Sequence, residues 1–420
     1  MNFDEASSYL LSLGHETLTL KLGLRNTETI LTALGDPQKQ FQSVQIAGTN
    51  GKGSTAVILD SICRAAGIRT GLFTSPHLIS ITERIKIDGE QISETDFARL
   101  TGQVKTIAEE LIEQGRLETL PTFFEHVTAI ALLAFREAKV ELAILETGLG
   151  GRLDSTTAAG ACIVAITPIA MDHQEYLGNN LAEIAAEKAA IIRPGVTAIV
   201  APQTVEALDV VLRQCESVAV EPRLIGRSLP DTYENTSMVL RGRHQIANAS
   251  TAIAIGEALR DHGFPISHEA IVSGLESAEH PGRLELWQAR PAILFDGAHN
   301  PAAAAALRDY LDEFVAQPIT MIFGAMRDKA LPEMAATLFP KADELILTSF
   351  ANLRSATAEM LMSAVPDGFD KANARLASSV KEAVQLAREV TSADGLICVT
   401  GSLYLVGAVQ EELQNPDQSG

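Results

Sequence analysis

Apolar positions along this chain fall into short runs that alternate with longer stretches of helical periodicity. Short apolar runs bounded by turn residues read as buried strands at 44–47, 70–73, 142–146, 162–167 and 197–200. Between them, apolar residues recur three and four apart over 93–114, 123–138, 180–192 and 205–214, which predicts amphipathic helices. Residues 1–40 read as two short helices, the second ending near Leu34-Gly-Asp-Pro37, and further helices are predicted over 238–259 and 262–278. Residues 279–291, with Pro281-Gly-Arg283 inside them, mix proline, glycine and charge and form a candidate hinge. Beyond it the alternation restarts. Strands are predicted at 292–296, 319–323, 344–348 and 396–400, with helices at 301–314, 331–338, 379–390 and after the last strand. Alternating β and α elements argue for an α/β protein with an open, largely parallel sheet, whose ligands sit beyond the carboxyl ends of the strands. Two domains follow, 1–285 and a smaller α/β domain over 286–420.

One strand runs into unusual chemistry: Val44-Gln-Ile-Ala-Gly-Thr-Asn-Gly-Lys-Gly-Ser-Thr55. The apolar run ends in Gly48, Gly51, Lys52 and Gly53, and Ser54 opens a periodic segment through Ile58, Ile62 and Ala66 that stops at Gly67. Strand, glycine turn, lysine, hydroxyl and helix make a phosphate cradle, because backbone N–H groups and the helix N-terminus favour an anion. The common P-loop has four residues between its first glycine and Gly-Lys; here Gly48 and Gly51 have two between them. A ligand-free glycine turn is the plain alternative, but it requires neither Lys52 nor the hydroxyls behind it.

Composition narrows the partners. A formal net charge of −20 makes an acidic surface that repels nucleic acid and anionic lipid, so a site for anionic substrates must be locally basic. Hydrophobic residues make up 46% and aromatics 5%, so aliphatic packing carries the cores. The four cysteines form no Cys-x-x-Cys pair, which suggests neither a zinc site nor a disulfide framework. No secretory pattern opens the chain and no apolar run reaches membrane-spanning length, so a cytoplasmic location is expected.

Several polar residues stand at predicted strand ends. Glu146 leads into Thr147-Gly-Leu-Gly-Gly-Arg-Leu-Asp154, where a carboxylate beside a P-loop suits a magnesium ligand; a solvated turn glutamate is the alternative. His173 follows the strand at 162–167, although a loop histidine taken alone is more often structural. Lys188 lies on an otherwise apolar helix face beside Glu187, the pattern of a snorkelling surface lysine. Ser75 precedes a proline at another strand end, either as a turn former or as a metal-facing hydroxyl. Asp296-Gly-Ala-His-Asn-Pro301 opens the second domain: Asp296 suits ribose hydroxyls and His299 phosphate or base, while Asn300-Pro301 reads as a helix cap. Together these pieces point to ATP-driven ligation, in which a carboxylate is phosphorylated and then attacked by an amine.

With these residues assembled, the sequence closely resembles the folylpolyglutamate synthase/dihydrofolate synthase family, part of the Mur ligase superfamily. The motifs are Ala47-Gly-Thr-Asn-Gly-Lys-Gly-Ser54, Thr74-Ser-Pro-His-Leu78, Ile144-Leu-Glu-Thr-Gly-Leu-Gly-Gly-Arg-Leu-Asp154, Asp172-His173, Glu187-Lys-Ala189, Gly242-Arg-His-Gln245, Pro281-Gly-Arg283 and Asp296-Gly-Ala-His-Asn-Pro301. The resemblance implies a P-loop-containing central domain like that of Mur ligases, followed by a smaller Rossmann-like domain. It implies that Gly51, Lys52, Gly53 and Ser54 hold ATP phosphates, and that Ser75, Glu146 and His173 ligate Mg2+, with a second ion or a monovalent cation allowed. Lys52, His173 and Lys188 would be catalytic, Lys188 as a carbamylated lysine. Asn248, Arg283, Asp296 and His299 would bind nucleotide from either side of an interdomain cleft. Thr122, Phe123, Phe124 and Glu125, with Leu153, Asp154 and Ser155, would contact the pterin, although core packing is an equal reading for one of the two phenylalanines. Ala190 and Ala330 depart from the family pattern, away from the metal and phosphate positions.

The expected activity is addition of L-glutamate to dihydropteroate, and also to tetrahydrofolate, by a monomer. Folylpolyglutamate synthase activity alone is an alternative. A Mur-type cell-wall ligase predicts a dedicated N-terminal nucleotide domain, and about 40 residues before the P-loop strand are too few for one. An inactive ATP-binding scaffold would not need Glu146, His173 and Lys188 together.

Overall fold

A computed structural model describes residues 1–14 and 23–414. The chain divides into two compact units, the first ending at Glu279 and the second running from His280 and also taking in His77–Ile79 and Leu240–Gln245. The linear division expected at 285 leaves those two short segments in the first domain.

The first unit is built on eight strands: β1 (Gln42–Ala47), β2 (Thr70–Phe73), β3 (Ile85–Ile87), β4 (Glu90–Gln91), β5 (Leu142–Glu146), β6 (Ile163–Ile166), β7 (Thr197–Val200) and β8 (Arg223–Leu224). Their spatial order is β4-β3-β2-β5-β1-β6-β7-β8, parallel throughout except for β3 and β4 at one edge. Every residue of β5 and β6 is buried, as expected when helices cover both faces of a parallel sheet. Phe73 pairs with Leu145, Ile46 with Glu146, and Ala47 with Ile166. The loops after β2, β5, β1 and β6 therefore leave the sheet side by side.

Among the described residues, ten helices accompany this sheet: α1 (Phe3–Ser12), α2 (Arg25–Ala33), α3 (Lys52–Ala65), α4 (Glu94–Glu113), α5 (Phe123–Glu137), α6 (Gln174–Leu177), α7 (Leu181–Ala189), α8 (Val205–Ser217), α9 (Arg243–Asp261) and α10 (His268–Ser277). Ser93, Thr122, Asn180 and Thr204 cap α4, α5, α7 and α8 by accepting from the third backbone N–H of each helix, which fixes where these helices begin. Phe97, Val127 and Phe135 pack with Phe73 and Leu145, whereas Ile184 and Val211 pack with Val164 and Ile166.

The second unit carries β9 (Glu285–Trp287), β10 (Ala292–Asp296), β11 (Ile319–Phe323), β12 (Glu344–Thr348), β13 (Ala374–Ala377) and β14 (Leu396–Thr400). The order is β13-β12-β11-β14-β10-β9, with only β9 antiparallel. Its helices are α11 (Pro301–Phe314), α12 (Leu331–Leu338), α13 (Ala358–Ser363), α14 (Val380–Val390) and α15 (Leu403–Gln414). Alternate residues of one strand feed different cores: Leu294, Met321 and Leu345 pack with α11 and α12, and Ile293, Ile322 and Ile346 with α14 and α15.

The α/β architecture is the expected one, with local differences. The candidate hinge contains β9, so its latter half belongs to the second sheet. Helix α3 starts at Lys52, two residues before the expected Ser54, because Gly51 takes the left-handed N-cap position. Strands β3, β4 and β8 are too short to register as a period. Among the described residues no helix is long and apolar enough to cross a membrane.

Helix α3 lies tightly against α10. A Cβ on Gly274 would stand 2.5 Å from Ile62 Cα and 2.6 Å from Ile62 N, where only backbone could yield. Alanine would favour the helix by ~1 kcal/mol on propensity alone. The overlap outweighs this, so Gly274→Ala should lower stability by ~1–3 kcal/mol in urea unfolding. Unchanged or raised stability would show that α3 and α10 can separate freely.

Candidate active site

The turn after β1 is fixed by the loop after β6. Thr49 N and Asn50 N both donate to Pro168 O, at 3.0 and 3.1 Å. Thr49 Oγ1 donates to Ala170 O at 3.0 Å and accepts from Ala170 N at 3.1 Å. The two residues between Gly48 and Gly51 thus commit their amides to structure. The first intrahelical bond of α3 runs from Thr55 N to Gly51 O at 2.9 Å. The N–H groups of Lys52, Gly53 and Ser54 precede that ladder and form the anion-favouring end of the helix. Gly51 has φ of 84°, and a Cβ there would overlap the Asn248 side-chain amide, so α9 closes over this turn.

Three of the expected residues converge on this turn. Lys52 Nζ donates to Thr49 O at 3.2 Å and lies 4.0 Å from Glu146 Oε1. Glu146 is 4% exposed, and its Oε2 accepts from Ser75 N at 3.1 Å. The ends of β1, β5 and β2 supply these groups, as the strand register requires. His173 stands at the start of α6 with φ of 51°; its N–H donates to Asp172 Oδ1 at 2.9 Å, and its Nε2 lies 3.8 Å from Asp172 Oδ2. Among the described residues no three His, Cys, Asp or Glu side chains gather closely enough to hold a metal ion by themselves.

Lys188 does not snorkel. It is 4% exposed, and its Nζ donates to Gly48 O at 2.8 Å, which ties α7 to the glycine turn. Burial, and then the charge of Lys52, lower its pKa to about 7, against the opposing pull of Asp172 and Asp154. Near neutral pH much of this amine is uncharged and nucleophilic.

The expected pterin segments separate into structural and exposed members. Thr122 and Glu125 form a capping box: Thr122 Oγ1 accepts from Glu125 N at 3.2 Å, and Glu125 Oε2 accepts from Thr122 N at 2.7 Å. This Thr-x-x-Glu signature is legible in the sequence as a helix start. Phe123 is buried, with the Arg84 guanidinium 5.3 Å from its ring centroid. Phe124 is half-buried, 5.7 Å from the Phe73 ring and directly over Gly148, where a Cβ would overlap it. Asp154 is buried and accepts from Leu149 N and Thr156 N, both at 3.0 Å, and from Thr156 Oγ1 at 2.5 Å. Burial raises its pKa despite those bonds. Ser155 is buried, whereas Leu153 is exposed.

Arg283, Asp296 and His299 form their own group in the second unit. Asp296 is buried; Oδ2 accepts from Leu284 N and Oδ1 from Ala298 N, both at 3.0 Å. Burial raises its pKa, and the charges of Arg283 and His244 oppose that shift. Arg283 Nη1 donates to Gly297 O at 3.3 Å, and His299 Nδ1 lies 2.8 Å from the same carbonyl. Asn300 caps α11, with Pro301 in its first turn. His244, Arg84 and Asp172 are buried or half-buried here without an individual role from sequence reasoning. Arg84 lies far along the chain from Phe123, which leaves no local signal, whereas Asp172 and His244 stand inside motifs visible in the sequence.

Residues 282–403 match the family model described as Mur ligase, glutamate ligase domain. A Bacillus subtilis dihydrofolate synthase/folylpolyglutamate synthase is 34% identical, across 94% of this chain and 96% of that protein. A Halobacterium salinarum protein named as a probable bifunctional folylpolyglutamate synthase/dihydropteroate synthase is 36% identical over 97% of this chain, which spans 51% of that relative's length. The solved structure of Mycobacterium tuberculosis folylpolyglutamate synthase complexed with ADP aligns with a TM-score of 0.90 at 29% identity, covering 97% of each chain. A bifunctional folylpolyglutamate synthase/dihydrofolate synthase from Yersinia pestis, complexed with AMPPNP and Mn ion, aligns with a TM-score of 0.82 at 30% identity, covering 97% of this chain and 98% of that one.

The depressed pKa of Lys188 carries a sign. The unfolded chain holds this proton up to the ordinary lysine value of 10.5, while the folded chain releases it near 7. Between these values the unfolded state binds more protons, so stability rises with pH. Relative to Lys188→Met, the wild type in CO2-free buffer should gain stability from pH 7 toward 10, as read by urea unfolding. A flat difference would mean that the amine is not desolvated as the fold requires.

Proposed function

The chain belongs to the dihydrofolate synthase/folylpolyglutamate synthase family, and from that premise we propose that it is an ATP-dependent amide ligase joining L-glutamate to dihydropteroate and to tetrahydrofolate. A substrate carboxylate oxygen takes the γ-phosphoryl group of ATP, with ADP leaving. The glutamate nitrogen then attacks the acyl carbon, phosphate departs, and the nitrogen loses a proton. The convergence of Lys52, Glu146 and Ser75 at adjacent strand ends carries this reading.

The N–H groups at the start of α3, with Lys52, bind and orient the phosphates. A buried carboxylate held beside a serine offers hard oxygen donors suited to Mg2+, with His173 on the loop after β6 as a nitrogen donor. Such an ion supplies charge neutralisation between phosphate and carboxylate. Lys188, as a neutral amine close to Gly48, would add through its nitrogen to the carbon of CO2 and release a proton to solvent, leaving a carbamate anion beside the phosphate turn. Phe124, over Gly148, offers a flat half-buried wall to a pterin ring. Asn248, whose side-chain amide lies against Gly51, is a candidate nucleotide contact in the first unit, and Arg283, Asp296 and His299 are candidate nucleotide contacts in the second.

Incubation with ATP, Mg2+, dihydropteroate and glutamate should release phosphate and yield a product one glutamyl unit heavier by mass. No release above the control lacking dihydropteroate would overturn the dihydrofolate synthase assignment. Lys52→Ala and Glu146→Ala should each lower kcat by ~100-fold or more, the scale of removing one transition-state charge contact. Full activity in either variant would remove that residue from the machinery. Enzyme stripped of CO2 should regain activity on adding bicarbonate, whereas Lys188→Ala should not respond.

A further inference from the structure

A side chain outside these assignments ties the phosphate turn to the candidate pterin loop. Gln45 lies on β1, between the paired strands β5 and β6, and is fully buried. Its Nε2 donates to Thr157 Oγ1 at 2.7 Å and Thr156 Oγ1 at 3.0 Å, with Thr147 Oγ1 at 3.4 Å. The orientation of this amide follows from proton counting. Thr156 Oγ1 already donates to Asp154 Oδ1, and Thr157 Oγ1 to Gly151 O at 2.8 Å. Each hydroxyl has one proton, so toward Gln45 both can only accept, and the NH2 group must face them. The carbonyl Oε1 points away, buried, with no hydrogen-bond partner among the described residues.

The loop held in this way is packed on its other side by α7. Arg152 N donates to Glu187 O at 3.0 Å, and a Cβ on Gly151 would stand 2.9 Å from Glu187 O and 3.0 Å from Lys188 O. Residues 147–157 therefore sit between the strand that ends in the phosphate turn and the helix that carries Lys188. Asp154 holds the loop's own shape, and Thr147 N donates to Ile46 O at 3.0 Å; among the described residues, the Gln45 amide is what fastens the interior hydroxyls to β1.

We propose that Gln45 is a positioning residue for the dihydropteroate site: its amide holds the 147–157 loop in register with the phosphate turn. This rests on the reading of that loop as part of the pterin site. Gln45→Glu is nearly isosteric but turns the donor into an acceptor facing lone pairs. Gln45→Met removes the donor without adding charge.

Steady-state kinetics and amide hydrogen exchange test this on the full chain. In both variants KM for dihydropteroate should rise ~10-fold or more, as when a buried polar group loses its partner, and more in Gln45→Glu. KM for ATP should change less than about twofold, within the small effects of distant independent sites. Exchange of residues 147–157 should quicken while α3 stays protected. An unchanged KM for dihydropteroate in folded Gln45→Met, or equal rises in both KM values, would overturn the proposal. So would unaltered exchange in 147–157. Wild-type protein that releases no phosphate with dihydropteroate would overturn the substrate reading instead, and the exchange measurement still decides whether Gln45 holds the loop.

Discussion

The paired amide donations from Thr49 and Asn50 to the Pro168 carbonyl set the geometry on which the rest of the site depends. They fold a two-residue link between Gly48 and Gly51 back against the loop after β6. The Gly48 carbonyl is left to accept from Lys188 Nζ. A longer P-loop wraps phosphate with its own amides. This turn is braced by the loop after β6, with Lys52 and Glu146 beside it.

That arrangement concentrates unlike charges in little water. Lys52 and Glu146 stand 4.0 Å apart, and the charge of Lys52 disfavours the charged form of buried Lys188. Burial is the larger influence on Lys188, and it leaves an amine that is easily deprotonated near neutral pH. The groups here are already desolvated and already fixed by strand ends, so charge moving among them would need little reorganisation.

The loop between β5 and β6 packs between β1 and α7. It begins at Glu146, passes Phe124 at Gly148, folds on Asp154 and is fastened at Thr156 and Thr157. Asp154 is therefore an organiser of the loop, while Leu153 is exposed and Phe124 half-buried.

Sequence by itself determined the alternation of strands and helices, the glycine turn and the polar residues at strand ends, because period, caps and turn chemistry act over a few neighbouring residues. It also contained the family resemblance, spread over many short motifs. It could not place Lys188, since an apolar helix face with one lysine looks the same whether that face meets water or a glycine turn 140 residues away. Nor could it separate Phe123, buried in the core, from Phe124, half-buried over Gly148, or find Arg84 and Gln45. The short strands β3, β4 and β8 were equally hidden, being defined by their partners and not by their own pattern. Tertiary structure decided these points because burial and hydrogen-bond partners come from segments distant in sequence, and only the packed sheet brings them together.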